Sequence, residues 1–420
     1  MSTVAQSLDF ATRALEKEMG QLTKSLFFLG DGLQRATVDG LFDLLKPKTW
    51  SPANLMSLGR SAAHVPVELS RFVVPGEAGP AWEELRNKFE VFMLVSELPS
   101  ILKVDPKTWV ALPDLVNRAY SLPAFNSLWA VEGVGHYYGD VYWERNGPPQ
   151  GLLFSESAPV PEKSLLMLHA GMGLSFADRL LTTVTHESPA NEVRDVVQRF
   201  VRLCRDNSRE GYLGAAVESL GLVTRDFYPD MVGLVDGQLQ EVAPELRGYF
   251  WHGVGRALYF SRAYFLPILR TAWGSMDQEA EHGLGQMNAT AGLAWAVTLV
   301  NMRQPKIMEG VLQSYIEHSA LGDAFANGVS SSIMMREDTT PGEAFVRAFY
   351  DHEPASGSRN LLMTWNKRVS GPAKVALRNY YPVHKKHASL GEIFQYQSLA
   401  SLVGRLEAET AAASAVTSVQ

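Results

Sequence analysis

Trp251-His252-Gly253-Val254-Gly255-Arg256-Ala257-Leu258-Tyr259-Phe260 sets two glycines and two ionisable residues inside an apolar run with helical character. Glycine in a helix interior costs roughly 1 kcal/mol relative to alanine, so such a pair marks a place where something approaches the backbone closely. The Gly-hydrophobic-Gly triplet recurs as Gly133-Val134-Gly135, Gly171-Met172-Gly173 and Gly283-Leu284-Gly285. Glu132, His252 and His282 directly precede three of the four triplets, and His169 stands two residues before the other. The glycines Gly133, Gly135, Gly171, Gly173, Gly253, Gly255, Gly283 and Gly285 are therefore read as structural, opening room for another helix or a ligand.

Working outward, helical periodicity dominates. Helices are expected near 162–184, 189–206, 209–222, 238–266, 276–302, 305–327, 341–351 and 358–378, with an earlier apolar stripe through Leu8, Leu15, Met19, Leu22 and Leu26. Pro- and Gly-rich sequence at 147–161 reads as a loop, with one short extended piece at Leu152-Leu153-Phe154. Gly328-Val329-Ser330-Ser331-Ser332 reads as a helix stop followed by a new N-cap. Long alternating runs suited to strands are scarce.

The expected fold is all-α, a helical-repeat-like stack of antiparallel helices with glycine-mediated close contacts. The triplets are unevenly spaced, which makes the repeat degenerate and does not support a solenoid of fixed period. Three regions are expected: an N-terminal helical region at 1–122, the glycine-triplet domain at 123–380, and a C-terminal helix with a frayed tail at 381–420.

Composition narrows the function. A formal charge of −7 gives no overall attraction to nucleic acid or anionic lipid, and no nucleic-acid module is visible. The single cysteine, Cys204, excludes an intrachain disulfide and a cysteine-cluster zinc site. The N-terminus lacks the features of a secretory signal. The uncharged stretch from Gly283 to Met302 carries Gln286, Asn288, Thr290, Thr298 and Asn301, which suit a buried helix better than a membrane span. A cytoplasmic protein is the expectation.

Polar pairs four residues apart bracket three triplets: Glu132 with His136, His252 with Arg256, and His282 with Gln286. On a helix such partners share a face. Either each pair is a local hydrogen bond beside a tight helix contact, or Glu132, His136, His169, His252, Arg256 and His282 line one polar pocket. Imidazole and carboxylate together suit iron, zinc or manganese, and Glu132, His136, His252 and His282 are the candidate metal ligands; haem is the other cofactor such a pocket could take. The aromatic residues around the third triplet, Tyr249, Phe250, Trp251, Tyr259 and Phe260, serve as core or line an apolar pocket.

The order of these segments, completed by Met363-Thr364-Trp365-Asn366-Lys367-Arg368-Val369, resembles a bacterial family known as domain of unknown function 1702, often encoded beside enediyne polyketide biosynthesis genes. The likeness spans roughly residues 130–370 and is closest at Gly253–Phe260. It implies an accessory role in secondary metabolism and carries no catalytic residues with it. Two functions follow as expectations. One is an accessory or scaffold protein that holds a protein partner or an apolar small molecule. The other is a metal- or haem-dependent enzyme with a His/Glu site between helices.

Overall fold

A computed structural model describes residues 78–417, apart from 106–107, 155–156, 261–271, 274–275, 277–278, 317–320 and 355–358. These residues all fall within one compact unit, Met56–Gln420. The apolar stripe expected at Leu8–Leu26 lies outside the described residues.

The described residues are helical, with no strand among them. Helices α1 (Ala78–Ser96) and α2 (Leu112–Tyr120) pack on α3 (Ala124–Asn146). There follow α4 (Leu165–Leu181), α5 (Ala190–Asn207), α6 (Leu213–Phe227), α7 (Val232–Val242) and α8 (Arg247–Phe260). Next come α9 (Gly283–Asn301), α10 (Pro305–Val311), α11 (Gly322–Thr339) and α12 (Ala344–Tyr350). Three short helices, α13 (Arg359–Trp365), α14 (Gly371–Val375) and α15 (Tyr381–Lys386), are joined by π-turns, and α16 (Leu399–Thr417) ends the described chain.

Six of these helices form a row in which each packs on the next: α3, α4, α6, α8, α9 and α11. Their sequences explain their place. In α9 every residue from Asn288 to Asn301 is buried, so this helix is apolar on all sides and belongs in the interior. By contrast α5 buries only one stripe, Val193, Val197, Phe200, Val201 and Cys204, at spacings of three and four, and lies outside the row against α7. Burial pushes the Cys204 thiol up, as expected of an inert core cysteine.

From α3 to α9 neighbours in the row cross antiparallel. Gly171 of α4 packs on the carbonyl of Glu132 in α3, while Gly135 of α3 packs on the carbonyl of Leu168 in α4. A step forward on one helix is a step back on the other. Gly253 on Glu218 and Gly221 on Phe250 repeat this between α6 and α8; Gly255 on Ala289 and Gly292 on His252 repeat it between α8 and α9. A methyl group at any of these glycines would overlap the facing carbonyl. The α4–α6 crossing pairs Gly173 with the carbonyl of Ala216 and adds a 2.8 Å hydrogen bond from Ser219 Oγ to the carbonyl of Ala170.

Several expectations need correction. The triplet Gly283-Leu284-Gly285 makes no backbone crossing: a side chain at Gly283 meets nothing within 4 Å, and Gly285 faces the rings of Trp251 and His282. Gly328–Ser332 does not stop a helix; it lies inside α11, where Gly328 packs on the carbonyl of Ala291. The single helix expected at 238–266 is two, because Pro244 cannot donate the backbone hydrogen bond that continuity requires. Leu152–Phe154 is a turn held by Asn207, whose side-chain oxygen accepts from the Leu152 N–H at 2.9 Å. The C-terminal segment forms α16 through Thr417, in keeping with its alanine content.

One continuous apolar core runs from Val91 to Leu399. At the end of the row Arg336 of α11 reaches back to donate to the carbonyls of Ala124 and Phe125 in the first turn of α3. The 3₁₀ turn Leu390–Phe394 lies over α6 and α8, pinned by Gly391 N–H to the carbonyl of Gly211.

Candidate functional site

The glycine crossings determine where the buried charges meet. The carbonyls of Glu132, Glu218 and His252 are the ones that receive Gly171, Gly253 and Gly292. These three close approaches thus sit at the backbone of an ionisable residue. Between α3, α6 and α8 the side chains converge on Arg256. Its Nη2 donates to Glu132 Oε1, and its Nη1 to Glu218 Oε2 at 3.2 Å. His252, one turn earlier on α8, places Nδ1 3.2 Å from Glu218 Oε1. Glu132, Glu218 and His252 are completely buried, and Arg256 is 4% exposed.

Aromatic rings enclose this cluster. The Arg256 guanidinium lies 4.9 Å over Trp295, and His252 meets Trp295 and Phe394 edge-on at 6.1 and 5.9 Å. Trp129 of α3 contacts Trp295 of α9 at 6.3 Å. In so dry a setting unpaired charge is very costly, so the electrostatics decide the protonation. Burial lifts the Glu132 carboxyl above the usual carboxylate range, against the pull of Arg256. Burial also opposes the Arg256 charge, but Glu132 and Glu218 outweigh it and hold the guanidinium more firmly protonated than usual. Among the described residues Glu132 Oε2, His252 Nε2 and Arg256 Nε have no hydrogen-bond partner.

The six pocket candidates do not share one site. Glu132, His252 and Arg256 join through Glu218, as described. His136 instead pairs with Asp140 at 3.4 Å, on a partly exposed face where Asp140 also accepts from Ser175 Oγ and Arg179 Nε. His169 is a satisfied core residue: Nδ1 lies 2.6 Å from the carbonyl of Leu165, Nε2 accepts from the Arg209 N–H at 3.1 Å, and the ring stacks on Tyr212. Burial lowers its pKa to about 4, so it is neutral.

His282 caps α9, accepting from the Gly285 N–H at Nδ1 at 2.9 Å. Its Nε2 lies 3.1 Å from Asp236 Oδ2 and 2.9 Å from Arg247 Nη2. Asp236 also accepts from Arg247 and Trp251. Burial opposes the Asp236 charge, but bonds from Arg247, His282 and Trp251 prevail and lower its pKa.

The expected metal set of Glu132, His136, His252 and His282 is thus divided among separate clusters. His136 pairs with Asp140 on its own helix, His252 with Glu218 across the α6–α8 crossing, and His282 with Asp236 of α7. Among the described residues no group of three or more His, Cys, Asp or Glu side chains is arranged to hold a metal ion. Nor is any described helix long and apolar enough to cross a membrane. A surface depression of about 340 Å³ on α5 and α7, lined by Gln198, Arg202 and Asp206, contains none of the candidate residues.

Sequence reasoning missed Glu218 and Asp236. Glu218 has no triplet beside it, yet it is the only charge between Leu213 and Val223, with Gly221 three residues on. Asp236 stands in the apolar run Val232-Gly233-Leu234-Val235 in the same way. A lone acid amid apolar helix residues was the available signal. Comparison with family models, curated proteins and solved structures returns no match to this chain.

Proposed function

We propose that this protein is a non-catalytic accessory or scaffold protein that holds a partner protein, or an apolar small molecule, in a bacterial secondary-metabolite pathway. The supporting observation is an aromatic surface on α3. Trp109, 40% exposed, packs on Tyr138 with ring centroids 5.2 Å apart, and Tyr138 packs on Tyr142 at 6.3 Å. The exposed Arg145 guanidinium lies 5.3 Å over Trp109. Tryptophan, tyrosine and arginine are the side chains that dominate binding energy at protein interfaces. The resemblance to domain of unknown function 1702 supplies the pathway setting.

Purified full-length protein should co-elute with a defined polypeptide or pigment of its pathway. The Trp109→Ala/Tyr138→Ala variant should lose that component while melting at an unchanged temperature. Retention by the double variant would refute the surface assignment.

The buried cluster favours a second reading, a metal- or haem-dependent enzyme with its His/Glu site between helices. Its supporting observation is the pair of unpartnered, fully buried atoms Glu132 Oε2 and His252 Nε2. Stoichiometric iron or zinc, or a Soret band, in purified protein would favour this reading over the first.

A further inference from the structure

Arg336 stands in the last turn of α11 and is completely buried. Its guanidinium has five N–H donors. Nη1 donates to the carbonyls of Ala124 and Phe125 at 3.1 and 3.4 Å, while Nε and Nη2 have no partner among the described residues. No described carboxylate forms an ion pair with it, unlike Arg256, Arg225 and Arg247. The unused edge, Nε with Nη2, is a fork that matches two oxygens of one carboxylate or phosphate group.

The surroundings add further positive charge. Arg303 lies 3.5 Å over the Phe125 ring, and Arg336 lies 5.2 Å over the same ring and 5.5 Å over Phe345. Arg303 donates through Nη2 to Asn87 and Glu90, but its buried Nε is unpartnered. Arg303 is 27% exposed and so connects this locus to solvent. Thr339, one turn beyond Arg336, is buried with its hydroxyl also unpartnered. Burial first, and Arg303 second, depress the Arg336 pKa to about 9, partly offset by Glu343. It is still protonated at neutral pH. A buried cation beside a second cation, with its bidentate edge unused, is strongly unfavourable unless an anion completes it.

We propose that the Nε/Nη2 edge of Arg336 is an oxyanion site that takes a carboxylate or phosphate group, with Arg303 as its second cation. The site is separate from the α3 surface and from the Arg256 cluster, and stands independently of the proposed function. The anion enters past Arg303, and its two oxygens accept from Nε and Nη2. Glu343 competes with it electrostatically.

The test is thermal melting of the full chain, titrated with inorganic phosphate and, separately, acetate against sodium chloride of equal ionic strength. A saturable rise in melting temperature with phosphate or acetate, absent with chloride, is expected; which anion saturates identifies the preferred group. Arg336→Lys keeps a charge but lacks the fork and should lose the saturable response. Arg303→Gln should weaken the apparent affinity about tenfold, and Glu343→Gln should strengthen it. If Arg336→Lys does not fold, the other two variants decide. The proposal is overturned by no saturable response to either anion in the parent chain, by an unchanged response in Arg336→Lys or Arg303→Gln, or by a response that appears only in Glu343→Gln, which would make Glu343 the internal counter-ion.

Discussion

Gly253 of α8 packs directly on the backbone carbonyl of Glu218 in α6, and Glu218 in turn binds His252 and Arg256 on either side of that glycine. Close helix contact and buried ion pairing are therefore one feature. Were the helices further apart, the carboxylate would not reach both partners. Gly253→Ala should destabilise the protein by about 1–3 kcal/mol, because a methyl group has no space unless the crossing opens. Gly283→Ala, at an exposed helix start with nothing within 4 Å, should be neutral or stabilising by roughly 0.5 kcal/mol. Urea unfolding of the two variants measures the contrast, and equal losses would contradict the close-contact assignment.

The Arg256 cluster yields a test that separates structural from functional roles. Arg256→Met leaves Glu132 and Glu218 buried without a counter-ion and should cost about 3–5 kcal/mol. Adding Glu132→Met and Glu218→Leu removes the stranded charges and should restore most of that stability, as measured by chemical denaturation. A restored fold that no longer supports the pathway would assign the cluster to function. A restored fold with full pathway support would assign it to packing alone.

The legibility of this fold was uneven for physical reasons. A paired glycine in an apolar helix announces close contact, and the triplets at Gly133, Gly171 and Gly253 do mark crossings. Single glycines serve equally well when the neighbour supplies a small residue, so Gly221, Gly292 and Gly328 carry crossings without a triplet. Conversely, Gly283 and Gly285 have the pattern without the crossing, since they open a helix. The site was harder to read than the fold. Spacing along one helix relates His252 to Arg256, but Glu218 and Asp236 reach their partners across helices, and no local pattern encodes that distance.

His282 shows how such a pattern can be misread, and its double role can be dissected. Its Nδ1 caps α9 while Nε2 binds Asp236. Asparagine can place an acceptor near the Nδ1 position but cannot reach Asp236. His282→Asn should therefore keep the cap and lose less stability than His282→Ala, whose lost cap alone costs about 1 kcal/mol. Comparable losses in the two variants, read by thermal melting, would show that the Asp236 bond dominates.

His169 should make the protein acid-sensitive well above the carboxylate range. In the folded protein its pKa is lowered to about 4 by burial, whereas the unfolded chain titrates near the ordinary value of 6.5. Between these values the unfolded state binds the extra proton, so stability rises with pH there and is lost as pH falls through 6.5 towards 4. The loss from this one residue between pH 7 and pH 5 is about 2 kcal/mol. His384, whose pKa burial also lowers, acts in the same direction. Asp236 does not contribute in this window, because its depressed pKa gives stability that is lost only at lower pH. His169→Gln removes the titrating ring and should flatten the step between pH 7 and pH 5, while costing about 1–3 kcal/mol at pH 7 from the broken bonds to Leu165 and Arg209. Urea midpoints for the parent and the variant at the two pH values measure both effects, and an unaltered pH step in the variant would place the acid sensitivity elsewhere.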